Sequence, residues 1–320
     1  MSDINLVTAA EASGQATDPR RTDRPGRSAK TRTAARGPRS LAADAWFDLR
    51  RNKIFWLAGV LVALVLLMAI WPSLFTSADP NQCILGRAHH GADEKALLGY
   101  DFQGCNVYAR TVYGARDSIV VGVFATLMSG VLGLLFGLAA GYYGRWVDAI
   151  LSRFIDIVLG IPFLLAAIVL TRRLEGPNST GLLAVTVTLG VLGWTAAARV
   201  MRSSVISAKG QDYVLAARML GAGPARIMFR HILPNAVAPF IVVLTILLGI
   251  NIASEATLSY LGVGLQGDAI SWGTAISDEG AYVRIHPGPL VWPSVFLGVT
   301  VLAFIMLGDA IRDAFDPKLR

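Results

Sequence analysis

The residue types that most often carry chemistry in proteins are sparse in this chain of 320 residues. Its four histidines are His89, His90, His231 and His286, and they lack the spacing of a metal site. The sequence contains no recognisable Ser-His-Asp set and no Gly-x4-Gly-Lys-Ser/Thr phosphate loop. We therefore expect a chain that is not an enzyme and that binds no metal, nucleotide or other cofactor itself.

The two cysteines offer a different kind of chemistry. Cys83 and Cys105 lie in one stretch between the first two apolar segments. If that stretch faces the outside of a bacterial cell, it lies in an oxidising compartment where disulfides persist. A disulfide would close a loop of about 20 residues and stabilise the chain by about 3 kcal/mol. A pair of free thiols is the alternative that the sequence leaves open.

The composition indicates that these residues are positioned by a membrane protein. The chain is 54% hydrophobic and 16% charged, whereas a soluble domain has about 25% charged residues. Six apolar segments are long enough to cross about 30 Å of hydrocarbon as helices. They cover residues 54–75, 118–141, 149–171, 181–200, 236–259 and 290–308. We predict an all-α, multi-pass membrane protein with six transmembrane helices.

The basic residues predict how the chain is oriented. If the N-terminus is cytoplasmic, 22 of the 29 Lys and Arg fall on the inner side, as the positive-inside rule requires for two cytoplasmic termini. Eleven of them precede residue 54 in or near a polar tail, so the net charge does not indicate a nucleic-acid partner. The tail, residues 1–40, has too little apolar surface to fold, and we predict that it is disordered and cytoplasmic.

The segments between the spans have distinct predicted roles. Residues 41–53 mix Trp46 and Phe47 with Arg50, Arg51 and Lys53, a pattern typical of a helix that lies in the lipid headgroups. A plain extension of the first span is the alternative. Residues 76–117 form an extracytoplasmic loop, residues 118–310 contain the other five spans, and residues 311–320 form a cytoplasmic tail.

The most informative polar stretch, residues 206–235, lies between the fourth and fifth spans and predicts a helical hairpin. Asp212 is placed to cap its first helix, and Gly221 to end that helix in the left-handed conformation. Pro224 suits the first turn of the second helix, and Pro234 marks the entry to the fifth span.

The hairpin also carries apolar residues at helical spacing, which we expect to be exposed. They are Val214, Leu215, Ile227, Met228 and Phe229. Apolar side chains exposed on a polar hairpin require a partner protein, or else a lipid surface on which the hairpin lies.

The sequence of the hairpin resembles a known family. Ala216-Ala217-x3-Gly221, followed by Arg230-His231-Ile232-Leu233-Pro234-Asn235, is similar to the cytoplasmic coupling loop of binding-protein-dependent ABC importer permeases. Leu215 stands where that family usually has Glu, and His231 is typical of its dipeptide, oligopeptide and nickel branch. The resemblance implies that the loop seats on an ATPase subunit. The implied contact residues are Tyr213, Leu215, Ala216, Ala217, Gly221, Ala222, Pro224, His231, Leu233 and Pro234.

Three further stretches resemble the C-type permeases of the same branch. They are residues 98–118, residues 255–273 with their Ser271-Trp272-Gly273 motif, and the C-terminal residues 308–320. The resemblance covers about residues 41–320 and implies a type I importer permease fold, multi-pass in a bacterial inner membrane. The implied partners are a sister permease, two ATPase subunits that hold ATP and magnesium, an extracytoplasmic binding lipoprotein and membrane lipid. The implied substrate is a peptide.

Alternatives to this function remain open from the sequence. Nickel or another small solute is the alternative cargo within the family. A secondary transporter or a membrane scaffold is the alternative of another class. A secondary transporter predicts repeated halves with charged midplane residues, which the sequence does not show.

Polar residues inside the apolar segments are costly to bury, so each needs a partner or a function. Asn251, Glu255 and Ser259 lie about one turn apart on the fifth span, and we expect them to line the pathway or to brace the partner interface. Arg153 and Asp156, three residues apart on the third span, are expected to pair with each other.

Overall fold

The computed structural model describes residues 46–176 and 180–315, and within them the chain is helical without a β-strand. The helices, in chain order, are α1 (Lys53–Ile70), α2 (Val107–Tyr143), α3 (Arg145–Gly160), α4 (Phe163–Leu174), α5 (Leu182–Lys209), α6 (Asp212–Met219), α7 (Pro224–Tyr260), α8 (Trp272–Glu279) and α9 (Gly288–Phe315). Short 3₁₀ turns occupy Pro72–Leu74, Leu85–Arg87 and Gly280–Tyr282. The predicted tail, residues 41–45 of the predicted interfacial helix, and residues 316–320 lie outside the described ranges.

Among the described residues, five helices are long and apolar enough to cross a membrane: α1, α2, α5, α7 and α9. A sixth span is formed if α3 and α4 count as one. Most of these helices extend beyond the apolar segments of the sequence. For example, α2 starts at Val107 rather than Ser118, because the side chain of Asn106 caps it by accepting from the Ala109 N–H.

The third predicted span is not a single helix, and this expectation was wrong. Its two halves, α3 and α4, meet at an angle of 90°. The break lies at Ile161 and Pro162, where Ile161 is extended (φ −82°, ψ 128°). Proline lacks the N–H that would continue the helix and disfavours helical geometry in the residue before it, so the bend is encoded locally.

The pairing of Arg153 with Asp156 is also wrong. Asp156 instead binds Arg199 of α5, with 2.8 Å between its Oδ1 and the Arg199 Nη2. A second ion pair joins the same two helices, with 2.7 Å between Asp148 Oδ2 and Arg202 Nη2. Both carboxylates of α3 therefore bind arginines of α5, and Asp148 also accepts from the Ser152 hydroxyl of its own helix at 3.1 Å.

A seam of small residues sets the closest helix packing. Gly133, Gly137 and Gly141 repeat every fourth residue on α2 and face α5. A Cβ built on Gly137 would lie 2.5 Å from the carbonyl oxygen of Ala198, and one on Gly133 would lie 2.6 Å from the Cβ of Ala197. Only glycine allows the two backbones to approach this closely.

Two ends of the bundle carry the candidate sites. We call one the hairpin end; it contains α6 and the neighbouring termini of α2, α5 and α7. The other is the disulfide end, which contains the loop between α1 and α2, closed by a Cys83–Cys105 disulfide, together with α8.

Near the start of the described chain, residues 46–49 form a helical turn. Trp46 of this turn is half exposed, the Phe47 ring lies under the Arg51 guanidinium at 4.4 Å, and Leu49 is buried beside Ala314.

Candidate functional site

The turn of the hairpin is closed by a pair of backbone hydrogen bonds around Gly221. The Ala222 N–H donates to the Ala217 carbonyl at 3.0 Å, and the Gly221 N–H donates to the Arg218 carbonyl at 2.9 Å. This is a Schellman ending, in which the residue after the helix cap adopts the left-handed conformation. Gly221 does so, with a φ of +77°. Its predicted role as the helix stop is therefore seen in the structure.

The start of each hairpin helix follows different chemistry. Pro224 is the first residue of α7, as predicted. Asp212 does not cap α6; it is the first residue inside the helix, and the preceding Gln211 occupies the cap position without a side-chain hydrogen bond. The Asp212 carboxylate still lies near the positive end of the short helix, where negative charge is favourable.

The hairpin continues into the fifth span without a gap. A π-helical turn, Ile227–Ile232, joins the first turn of α7 to the rest of the helix, and Pro234 follows it. Proline cannot donate to the preceding turn, so the wider turn accommodates it without ending the helix. Leu233 packs against the apolar cluster below, and the half-buried His231 offers its carbonyl to the Asn235 amide at 2.7 Å. The second part of the hairpin and the fifth span are thus one continuous helix, α7.

One face of the hairpin is fixed to the bundle. Val214, Ile227 and Ile232 are almost completely buried against Met201 and Val205 of α5. The expectation that Val214 and Ile227 are exposed was wrong, because both side chains pack in one apolar cluster with Met201 and Val205. Two polar contacts reinforce the attachment: the Tyr142 hydroxyl donates to the Pro224 carbonyl at 3.2 Å, and Lys209 donates to the Tyr142 carbonyl.

The opposite face presents apolar side chains to solvent. Met219 is 89% exposed and Leu220 is 88% exposed at the tip, and Tyr213, Leu215 and Phe229 are between 40% and 57% exposed. Ala216 is exposed beside them, whereas Ala217 faces inward. We call Met219 and Leu220 the hairpin tip. Arg218, Arg226 and Arg230 of the same hairpin are also exposed. Exposed apolar side chains together with basic residues fit a protein surface that is apolar and acidic.

A second site lies deep in the disulfide end, around the carboxylate of Glu255. Glu255 is completely buried and accepts three hydroxyl hydrogen bonds. Ser118 of α2 donates to its Oε2 at 3.0 Å, and Ser259 and Ser271 each donate to its Oε1 at 2.9 Å. We call Glu255 and these three serines the junction. It connects α2, α7 and the start of α8.

Each hydroxyl of the junction also accepts a backbone N–H, so the polar groups are satisfied in both directions. The Trp272 N–H donates to Ser118, the Leu265 N–H to Ser259, and the Thr274 N–H to Ser271. The Trp272 indole is fully buried and donates to the Thr111 carbonyl at 2.9 Å. The Ser271-Trp272-Gly273 motif is thus the docking element of α8 on the spans.

The structure places Asn251, Glu255 and Ser259 inside the chain. All three are at most 3% exposed, and each is hydrogen bonded within its own chain. Asn251 donates to the Thr126 hydroxyl at 2.9 Å. That they line the pathway or brace the partner interface stays a prediction.

Sequence reasoning missed the partners Ser118, Ser271 and Thr126. Their spacing along the chain carries no signal, because contact is made across 137 residues for Ser118 and 125 for Thr126. Ser271 could have been found from its helix-capping position, since it forms a capping box with Thr274.

Comparison with known proteins identifies the family to which this arrangement belongs. Residues 133–320 match the family described as the binding-protein-dependent transport system inner membrane component. Residues 40–91 match the N-terminal TM domain of oligopeptide transport permease C. The chain belongs to this permease family.

Curated relatives extend the similarity over most of the permease. The oligopeptide transport system permease protein OppC of Bacillus subtilis is 36% identical over 281 residues, covering 88% of this chain and 91% of the relative. The dipeptide transport system permease protein DppC of Alkalihalophilus pseudofirmus is 35% identical, covering 87% and 90%.

One solved structure is similar in fold, and this similarity supports the fold only. The methionine ABC transporter MetNI in an inward-facing conformation contains a chain that aligns with a TM-score of 0.53 at 22% identity, covering 64% of this permease and 96% of that chain. Family membership places the permease in a multi-pass inner-membrane assembly that works with a binding protein and an ATPase.

Proposed function

We propose that this permease is a membrane subunit of an ATP-driven importer for dipeptides or oligopeptides. The substrate class is supported by relatives named for oligopeptide and dipeptide transport, which share about a third of its residues over most of its length. ATP and magnesium are held by partner ATPase subunits, and this chain contributes no catalytic group. Its work is mechanical.

The observation that carries the proposal is the contrast between the two faces of the hairpin. The buried face of the hairpin packs on α5, and the second helix of the hairpin is the first part of α7. A force on the hairpin tip is therefore transmitted to the spans. The exposed tip offers Met219 and Leu220 to a partner. An ATPase that grips the tip in one nucleotide state and shifts it in another changes the relative energies of two bundle conformations.

The orientation follows from the same argument. The ATPase is cytoplasmic, so the hairpin end faces the cytoplasm and both termini lie inside, in agreement with the distribution of Lys and Arg. The disulfide end then faces the oxidising side, where the Cys83–Cys105 bond is stable and where a binding lipoprotein delivers the substrate.

A sister permease completes the pathway. Helices α3 and α4 present an apolar surface that includes Ile157 and Leu165, and both residues are more than 60% exposed. Such a surface suits either lipid or a second membrane chain. We propose a pseudo-twofold pair in which this chain supplies half of the pathway wall and lipid covers the remainder of its apolar surface.

The test is transport by the reconstituted complex. The permease is purified with its sister permease and ATPases, placed in proteoliposomes, and supplied with binding protein and a labelled dipeptide or oligopeptide. We expect peptide uptake that requires both ATP and binding protein.

The matched control is a complex whose ATPase subunits lack the phosphate-loop lysine, which should assemble but not transport. Uptake of Ni²⁺ but not of any peptide would overturn the substrate assignment. Uptake that proceeds without ATP would overturn the transporter class.

A further inference from the structure

A group of charged side chains at the disulfide end contains more acidic than basic residues. Arg110 of α2 lies 2.8 Å from Asp101 of the loop and 3.5 Å from Asp278 of α8, measured from its Nη atoms to carboxylate oxygens. Glu279 lines the same small cavity as Asp101, Arg110 and Asp278. Three acidic groups therefore lie around one guanidinium.

The acids differ in how their oxygens are used. Asp101 is satisfied: its Oδ1 accepts from the Gln103 and Cys105 N–H groups at 2.9 and 2.8 Å, and its Oδ2 accepts from Arg110. Both oxygens of Asp101 therefore have donors within the chain. We call the other two acids, Asp278 and Glu279, the acidic pair.

Glu279 holds the loop but keeps one oxygen without a partner. Its Oε1 accepts from the Phe102 N–H at 2.7 Å, which docks the disulfide loop on α8. Glu279 is only 2% exposed, and its Oε2 has no hydrogen-bond partner in the described part of the chain. The Nε of Arg110 is also buried without a partner there. Both residues line a cavity of about 10 Å³ that also touches Asp101 and Asp278. A buried carboxylate oxygen with no donor is costly, whereas the same oxygen carrying a proton becomes a donor.

Burial acts on both members of the acidic pair in the same direction. It raises the pKa of Asp278 and of Glu279, and for Glu279 the negative charges of Asp101 and Asp278 raise it further. For a carboxyl group whose pKa is raised in the docked state, docking is favoured by protonation. That contribution is complete below the ordinary carboxyl value of about 4 and is lost as the pH rises through the raised value.

We propose that the acidic pair is a proton-binding site that fastens the disulfide loop to α8. With one proton on Asp278 or Glu279, the charge of the group falls, and the Phe102 N–H keeps its acceptor. Loss of the proton leaves two adjacent carboxylates against one shared guanidinium, and the contact loosens. On the orientation proposed above, the acidity of the extracytoplasmic medium sets how firmly this loop is held.

Two imidazoles lie at the same contact. His89 of the loop stacks on His286 with 4.5 Å between ring centroids, and it also packs on Tyr282 at 4.9 Å. Tyr282 in turn stacks on Phe102. A test of the acidic pair must therefore include variants of these histidines.

The experiment is hydrogen exchange of the Phe102 amide in the full complex in lipid nanodiscs. Exchange is followed by mass spectrometry at pH 5 and pH 7.5, and each rate is divided by the intrinsic rate at that pH. We expect stronger protection at pH 5, by about tenfold for each unit by which the pKa of the pair in the docked state lies above the lower pH of the measurement. The measurement needs neither substrate nor a known orientation, so it can fail while the proposed function stands.

Variants assign the effect to its residues. Glu279→Gln keeps the acceptor for Phe102 and carries no charge, so its protection should be high and equal at both pH values. Asp278→Asn, at a half-exposed position, should reduce the pH dependence without unfolding the chain. Glu94→Gln, an exposed acid on the same loop, should behave as the unaltered protein does.

Two results would overturn the proposal. One is equal protection of Phe102 at both pH values in the unaltered protein. The other is a pH dependence that survives in Glu279→Gln and Asp278→Asn but disappears in His89→Asn with His286→Gln. Asparagine suits position 89, whose φ is +56°.

Discussion

At the disulfide end, the carboxylate of Glu255 receives three hydroxyl hydrogen bonds from its own chain, while at the hairpin end Met219 and Leu220 leave nearly nine-tenths of their surface uncovered. The first arrangement is complete without another molecule. The second is costly in water and becomes favourable only when a partner covers it. The two ends therefore differ in what a substitution should do. Changes at the disulfide end should reduce stability, and changes at the hairpin tip should reduce association and transport.

The largest expected effect on stability belongs to Glu255→Leu. The change leaves three buried hydroxyls without their shared acceptor, and we expect the free energy of unfolding to fall by about 3 to 5 kcal/mol. Thermal unfolding of the purified permease in detergent measures it. Glu94→Leu is the control, because Glu94 is exposed on the loop and should leave unfolding unchanged. Equal melting of the two variants would show that the junction is not a structural centre.

The disulfide should have the next largest effect. Replacing Cys83 and Cys105 together by serine releases a loop closed across 22 residues, with a loss of up to about 3 kcal/mol. The loss should be confined to the disulfide end, so limited proteolysis should cut the loop faster while the hairpin is cut at its former rate. Acceleration at the hairpin would contradict the independence of the two ends.

Two glycines, one in a close helix contact and one in open space, test the packing of α2 against α5. Gly137→Ala places a methyl group against the Ala198 carbonyl and should destabilise by about 1 to 3 kcal/mol. Gly59→Ala on α1 meets nothing within 4 Å and should stabilise slightly, by up to about 1 kcal/mol, through helix propensity. Thermal unfolding of both variants decides the point, and a stabilising Gly137→Ala would refute the close contact of α2 with α5.

The accuracy of the sequence-based expectations also differs between the ends, for a physical reason. At the hairpin, Gly221 and Pro224 fix the backbone through their own conformational limits, so local reasoning located the turn. Burial of Val214 and Ile227 was not foreseen, because exposed apolar residues such as Leu215 and Phe229 lie near them in the sequence and only packing against α5 decides which are covered. The spacing of Gly133, Gly137 and Gly141 in the sequence likewise places them on one face of α2.

At the disulfide end, the relevant contacts are long-range. A carboxylate within an apolar span fits a pathway, an interface or a buried junction equally well by sequence. The choice for Glu255 depends on Ser118, which is 137 residues away, and on α8 folding back over the span.

The bend at Pro162 was also missed, because the hydropathy of the segment is continuous across the proline and its backbone restriction was given too little weight.

The smallest expected effect on stability, and a large one on association, belongs to the hairpin tip. Met219→Ser with Leu220→Ser should change the free energy of unfolding by no more than about 0.5 kcal/mol, because neither side chain packs on the bundle. Burial of one such side chain at an interface contributes about 1.5 to 3 kcal/mol, so affinity for the ATPase should fall at least about tenfold. Binding of the detergent-purified permease pair to immobilised ATPase subunits measures this.

Leu85→Ser is the matched control for the hairpin tip, since Leu85 is 78% exposed at the opposite end and should leave ATPase binding intact. The comparison is decisive in both directions. A tip variant that binds normally would remove the argument that exposure at the hairpin marks a docking surface. A Leu85 variant that loses ATPase binding would show that the two ends are energetically coupled even without substrate. Loss in the tip variant alone, with unfolding unchanged in both, is what a bundle with one self-sufficient end and one end completed by a partner must give.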